Sequence, residues 1–257
     1  MIEKYNNSFL DINHLDIQKI IEIAEDIIDK NQFLNIKILQ NTARKILKLP
    51  RKDIIEKIEF LINKKLLIEG SKYTKKTVLN NQYRRKLYNI ILNNNGIIFS
   101  LLKKKIYNNK IGSSGQLIWH IGMLIKFELV KKIKIGNSTF FLPHQIDEDS
   151  GRLAFFLKDP INKKIITLLI SMENIKRPEI YKIINEKRQS VYYRLNILIE
   201  NNIIKYYNNS EKKLCINPKI KQIYKKSSKV GKYNYAFKDK IKNQIEGVKN
   251  IWNCILC

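Results

Sequence analysis

Apolar residues recur at three- and four-residue spacing in three successive stretches of the chain, and each stretch runs into a short alternation of period two. The middle stretch is the clearest. Tyr83, Leu87, Ile90 and Ile91 mark a helix over about Asn81–Asn94, which Gly96 breaks. Phe99–Tyr107 makes a short second helix, and Asn108, Asn109, Lys110, Ile111 and Gly112 form a polar turn. Ser113 or Ser114 offers an N-cap to a third helix with Leu117, Ile121, Leu124 and Ile125 on one face. Val130–Ile135 and Ser138–Leu142 read as two strands, and Gly136-Asn137 between them is a hairpin turn pair.

The plan returns between Asp159 and Ile216. Ile165, Ile166, Leu168 and Leu169 belong to its first helix, Pro178 opens the second, and Val191, Leu195 and Leu198 line the third. Ile203–Tyr207 and Lys213–Ile216 are its strands. An earlier copy is fainter: helices over Asp16–Lys30, Ile36–Leu47 and Arg51–Lys64, then a hairpin of Leu66–Ile68 and Lys76–Leu79 around Gly70-Ser71. Three helices followed by a two-stranded β ribbon is the winged-helix arrangement. The expected fold is therefore mainly α with small β-hairpin wings (α+β), in tandem units over 1–80, 81–145 and 146–225, followed by a basic amphipathic tail over 226–257.

Charge adds the sign of a partner. The 257 residues carry 49 Lys+Arg against 23 Asp+Glu, a formal net charge of +26 and a pI near 9.8. Ile, Lys and Asn dominate and Arg is scarce, as an AT-rich coding sequence would produce, so part of the lysine excess is codon bias. Bias towards Lys does not explain acids at half the number of bases. The surplus predicts attraction to a polyanion, either nucleic acid or an anionic membrane face. No apolar run is long enough for a membrane-spanning helix, no secretory signal opens the chain, and three cysteines make no disulfide framework. A reducing, cytoplasmic setting is expected. No phosphate loop, nucleophile–base set or dinucleotide fingerprint occurs, and His14, His120 and His144 are scattered, so catalysis, cofactor and metal are not expected.

The middle copy carries a specific resemblance. Gly96-Ile97-x-Phe99 precedes its second helix, Gly115-x-Leu117-x-Trp119-His120 lies in its third, and Glu128-Leu129-Val130 enters the wing. With Asp159–Ile170 and Gln189–Tyr207, these segments resemble the winged helix-turn-helix regulators of archaea and bacteria, closest to the arsenic-repressor-like branch and its multi-winged archaeal relatives. The resemblance implies that third helices enter the DNA major groove. It directs Ser113, Ser114, Gln116, Trp119 and His120 outward in the middle copy, with Gly115 and Met123. In the last copy Lys187, Arg188, Gln189, Ser190, Tyr193 and Arg194 are left facing outward, with Tyr192 as a further candidate. Arg can read guanine in bidentate fashion, Gln can pair with adenine and Lys can neutralise phosphate. Arg188, Arg194 and Gln116 are the expected base contacts. Trp119 has two readings, a groove contact or a packing residue against the wing or an adjoining copy. The first copy's third helix, with Asp53, Glu56 and Glu59, would repel phosphate and suits an interaction or dimerisation role. Wing contacts fall to Lys131, Lys132, Lys134 and Asn137 in the middle copy, and to Lys212 and Lys213 in the last; a solvated hairpin edge explains the same lysines.

From Lys219 onward ten lysines stand against Asp239 and Glu246, with Phe237, Ile241, Ile245, Val248 and Trp252 at helical spacing. Such a helix can pack on a winged unit or another chain, lie on an anionic membrane, or add charge to nucleic-acid binding. Cys254-Ile255-Leu256-Cys257 has the form of a prenylation box, with Cys254 as the modified residue. The leading expectation is a sequence-specific regulator that binds double-stranded DNA through tandem winged helices and is associated with the nucleoid. The alternative is a protein-interaction scaffold resembling the ESCRT-II subunits, held at an anionic membrane by its tail.

Overall fold

A computed structural model describes residues 11–172, 174–207 and 210–229. The chain divides into two compact units between Ile146 and Asp147. The tail beyond Lys229, with Cys254, lies outside the described residues.

The first unit opens with α1 (Leu15–Asn31), α2 (Ile36–Leu47) and α3 (Arg51–Asn63). Asn35 caps α2 by accepting a hydrogen bond from the Ile38 backbone N–H at 3.1 Å. Ile17, Ile20, Ala24, Leu39, Ile54, Ile58, Leu61 and Leu67 close a core among these helices. The hairpin expected after α3 is absent. Its backbone is committed elsewhere: Gly70 N–H donates to Leu34 O (2.8 Å) and Leu34 N–H donates to Ser71 O (2.9 Å), which ties the turn to the loop before α2. A single bond, Lys75 N–H to Leu66 O (2.9 Å), links the two arms. The Thr74 hydroxyl donates to Glu25 at 2.9 Å, and Thr77–Asn80 winds into a 3-10 turn where a strand was expected. The first copy thus has the three helices without the wing.

The same unit continues through α4 (Gln82–Asn93), β1 (Ile97–Ile98), α5 (Phe99–Ile106), α6 (Ser114–Lys126), β2 (Val130–Ile135) and β3 (Ser138–Pro143). A second core assembles from Leu87, Ile91, Leu102, Leu117, Ile121, Leu124, Val130 and Phe141. The sheet is antiparallel, in the order β1-β3-β2. Register pairs Ile133 with Phe140 and Lys132 with Phe141, and Ile97 with Phe141 on the other edge. Gly96, at φ 96°, admits β1 to that edge; a Cβ on it would stand 2.5 Å from the Phe140 ring.

The second unit begins with α7 (Glu148–Phe156), an element the sequence pattern did not suggest, capped by Asp147. It then repeats the plan: α8 (Pro160–Ser171), β4 (Ile175–Lys176), α9 (Arg177–Ile183), α10 (Arg188–Glu200), β5 (Ile204–Tyr207) and β6 (Ser210–Ile216). Its sheet order, β4-β6-β5, matches the first. Helix α11 (Pro218–Lys229) follows, with Ile220 buried and Lys219 paired with Asp149 of α7.

All three third helices leave by the same device. Lys65, Glu128 and Asn202 adopt positive φ (53°, 51° and 56°). Each next residue donates back into its helix: Leu66 to Leu61 O, Leu129 to Leu124 O and Ile203 to Leu198 O, all at 2.9 Å. The repeat is therefore a repeat of backbone geometry, even where the first copy lacks its ribbon. The fold class is mainly helical with small antiparallel sheets, as tandem winged-helix units require.

Candidate nucleic-acid interface

In the second unit the turn before α10 and its first residues are open to solvent. Lys187, Arg188 and Gln189 are exposed and Ser190 is half-buried, because Val191, Leu195 and Leu198 take the buried stripe of the helix. Arg188 lies over the Tyr192 ring, 5.1 Å from its centroid, and Arg177 of α9 lies 4.8 Å from the same centroid. Arg177 also donates to the Asn196 side chain at 2.6 Å. Tyr181 meets Tyr192 edge-on at 6.4 Å. Two guanidiniums are thus gathered around one aromatic ring on the outer face of α9–α10. Holding Arg188 against a ring reduces the side-chain freedom it would otherwise lose on contacting a ligand.

Tyr193 is 66% exposed, as expected. Arg194 is a correction. Its Nε donates to Asp159 Oδ1 at 3.0 Å, its Nη2 to Asp159 Oδ2 at 2.9 Å and its Nη1 to Ser190 O at 3.3 Å. The guanidinium fork is occupied within the unit. Asp159 caps α8 through the Asn162 N–H at 2.8 Å, so one carboxylate joins the starts of two helices. The hydrogen bonds from Arg194, with those from the backbone N–H groups of Asn162 and Ile161 and the guanidinium charge, outweigh desolvation and hold the Asp159 carboxyl below its usual range. Lys213 on the wing is exposed; the Lys212 side chain lies outside the described residues.

The middle copy presents a different face. Ser113 caps α6 through the Gln116 N–H at 3.2 Å, and the Ser114 hydroxyl accepts from Lys103 at 2.7 Å. Gln116 is exposed, Trp119 is 55% exposed and Ile118 is 58% exposed. His120 is the second correction: it is only 7% exposed. With Leu117, Ile121 and Leu124 it forms the i, i+3, i+4, i+7 stripe of α6, so its place is in the helix's buried face. Its ring packs against Tyr83 at a tilt of 45° (4.6 Å) and meets Trp119 edge-on (4.8 Å). Burial, then the nearby Arg84 charge, lowers its pKa from the ordinary histidine value. Lys132, Lys134 and Asn137 of the wing are exposed, and Lys131 is half-buried. Between α6 and the wing lies a groove of about 730 Å³ lined by Phe99, Ile118, Gly122, Ile125, Lys132 and Lys134 among others.

Sequence reasoning missed the Arg177–Tyr192–Arg188 cluster. Arg177 belongs to the second helix, 15 residues before Tyr192, and no spacing signal along the sequence links the two. Among the described residues no three His, Cys, Asp or Glu side chains converge as a metal site, and no helix is long and apolar enough to cross a membrane.

The chain is 32% identical over 175 residues to an uncharacterized HTH-type transcriptional regulator of Methanocaldococcus jannaschii. The match takes in 67% of this chain and 42% of that protein, so the chain spans less than half the length of this relative. The similarity is to a protein named as a helix-turn-helix transcriptional regulator, and the three-helix-and-ribbon units over 81–145 and 146–225 have the winged-helix arrangement. No family model matches the chain. A structure of the ESCRT-II endosomal trafficking complex aligns over 80% of this chain and 90% of its own, at 14% identity. Its TM-score is 0.23, too low for that likeness to carry an argument.

Proposed function

We propose that the protein is a transcriptional regulator that binds double-stranded DNA in a sequence-dependent way, with the second unit as the reader. The observation that carries this reading is the basic start of α10, where Lys187, Arg188 and Gln189 face solvent and Arg188 is pre-positioned over Tyr192. In a winged-helix unit this end of the third helix is the part that meets base edges, and Arg is the side chain best suited to guanine. Lys187 and wing Lys213 serve the phosphates. Arg188 and Gln189 are the base contacts in this reading; Arg194 passes to a positioning role through Asp159.

The middle copy supplies charge in this reading and reads no bases through α6, whose outer face is apolar. Its wing lysines Lys131, Lys132 and Lys134 add positive charge, and Asn137 with Ser113, Ser114 and Gln116 at the start of α6 offers neutral hydrogen-bonding groups to the DNA backbone. The relative's name as a transcriptional regulator is the comparison that favours regulation over other uses of DNA binding. Membership of an arsenic-repressor-like branch remains a proposal on the motifs already quoted.

The test is selection of the full chain on a random duplex pool near physiological salt, where purely electrostatic binding is weak. A recovered motif that Arg188→Ala or Gln189→Ala blurs at particular positions is the expected result. A pool without enrichment, or a motif unchanged by both substitutions, would overturn the reading.

A further inference from the structure

The outer face of α6 combines three features that the DNA reading does not use. It exposes Ile118 and Trp119, at 58% and 55%. It carries Gly122 in mid-helix, on the same face one turn after Ile118. It also borders the groove against the wing, into which Ile118, Gly122 and Ile125 contribute a ridge with i, i+4, i+7 spacing. Glycine inside a helix costs about 1 kcal/mol relative to alanine. The fold itself does not require it here: a Cβ on Gly122 would meet nothing within 4 Å. A mid-helix glycine beside open space and flanked by exposed isoleucine permits another backbone to approach closely.

The groove's charge selects the occupant. Its lining includes Lys132 and Lys134 and no carboxylate. A second copy would bring the same lysines and the same net charge of +26 against this face, which disfavours self-association. DNA would satisfy the lysines but has no counterpart for the apolar ridge. A small amphipathic anion could fill part of the groove, yet Trp119 does not line it and would stay uncovered. A helix with apolar anchors on one side and carboxylates on its flanks meets every feature.

We infer that the α6–wing groove of the first unit is a docking site for an acidic amphipathic helix of a partner protein. Ile118 and Ile125 receive its apolar anchors in the groove, and exposed Trp119 meets the part of the helix that extends beyond it. Gly122 admits its backbone, and Lys132 and Lys134 pair with its carboxylates. Base reading in the proposed function rests on the other unit; only the wing lysines Lys132 and Lys134 are shared with this site.

The experiment is selection of helix-forming peptides from a display library on the full chain, with counter-selection on the full-length Gly122→Glu variant. That substitution fits the folded helix, since the added Cβ has free space, and it places a like charge where acidic residues would come. Thermal melting confirms that the variant folds. The expected result is enrichment of peptides with apolar residues at i, i+4 and i+7 and flanking Glu or Asp. Their affinity should fall at least tenfold on Gly122→Glu and on Lys132→Glu, while DNA binding of Gly122→Glu stays within twofold.

Several outcomes would overturn the inference. One is no enrichment, or enrichment without acidic residues. Another is peptides that bind both variants as tightly as the unaltered chain. A sedimentation profile dimeric for the unaltered chain and monomeric for Gly122→Glu would replace the partner helix by a second copy. A tenfold loss of DNA affinity in Gly122→Glu would return the face to DNA.

Discussion

On the proposed DNA reading, replacing Arg194 by alanine separates a residue that holds the second unit together from one assigned to base contact. The guanidinium gives two charge-assisted bonds to Asp159, at 3.0 and 2.9 Å, and a third, longer bond to Ser190 O at 3.3 Å. In a dry interior, breaking such a pair costs about 3–5 kcal/mol. Here the side chains keep 24% and 34% of their surface in water, so the cost must be discounted towards that of a solvated pair. Asp159 retains its cap on α8 in the variant, so that contribution is not lost. The balance is about 2 kcal/mol, or a fall of about 10 °C in the melting temperature of a unit this size. Calorimetry on the full chain reads the stability, and anisotropy on a selected duplex reads the affinity. Arg188→Ala should show the reverse pattern: stability within about 0.5 kcal/mol, and affinity reduced by about 1–3 kcal/mol with blurred specificity. An Arg194→Ala protein that melts normally yet loses most of its DNA affinity would refute the reasoning, because the Asp159 pair would then not be what occupies the guanidinium.

Other consequences are as direct. His120 is held neutral by burial and by Arg84, so its folded-state pKa lies below the unfolded one. Its contribution to stability is complete above about pH 6.5 and is lost as pH falls below that value. Urea titrations of the first unit's transition at pH 7.5 and 5.5 should show this loss, and His120→Phe should flatten it; an equal loss in the variant would assign it elsewhere. Gly96→Ala should destabilise by about 3 kcal/mol, since the new Cβ meets the Phe140 ring at 2.5 Å in a left-handed backbone. A denaturant midpoint unchanged from the parent would contradict that packing. On the proposed DNA reading, the logarithm of the binding constant should fall linearly with that of salt concentration, and Lys187→Ala should reduce the slope by about 1. A slope unaffected by Lys187→Ala would remove it from the phosphate contacts.

The pattern of apolar residues carried most of the backbone. Ile36–Leu47 is a helix and Val130–Ile135 a strand at the bounds expected of them, because periodicity and turn residues agreed there. The failures have physical causes. Leu66–Ile68 alternates too little to distinguish a strand from a turn, and its neighbours' hydrogen bonds went to Leu34, far away in sequence. The two-residue strands β1 and β4 are too short for any period to register. At the interface, polarity alone misplaced His120, whose imidazole fills a buried slot that helical spacing assigns to it. Arg194 was misjudged because its partner, Asp159, is 35 residues away and looks in sequence like a simple N-cap. The exposure of Lys187, Arg188 and Gln189 was legible because Val191, Leu195 and Leu198 take the buried stripe of the helix.

The three helix exits give the molecule an internal control. Lys65, Glu128 and Asn202 occupy one backbone conformation at corresponding points, yet differ in how easily each adopts it. Asparagine tolerates the left-handed region better than lysine or glutamate does. Two joints are thus held in a conformation that a simple residue swap would ease, and a third is already relaxed. Glycine at 65 or 128 should tighten the chain, while glycine at 202 should gain little. Lysine and glutamate at the first two exits are not the residues that make the turn most easily.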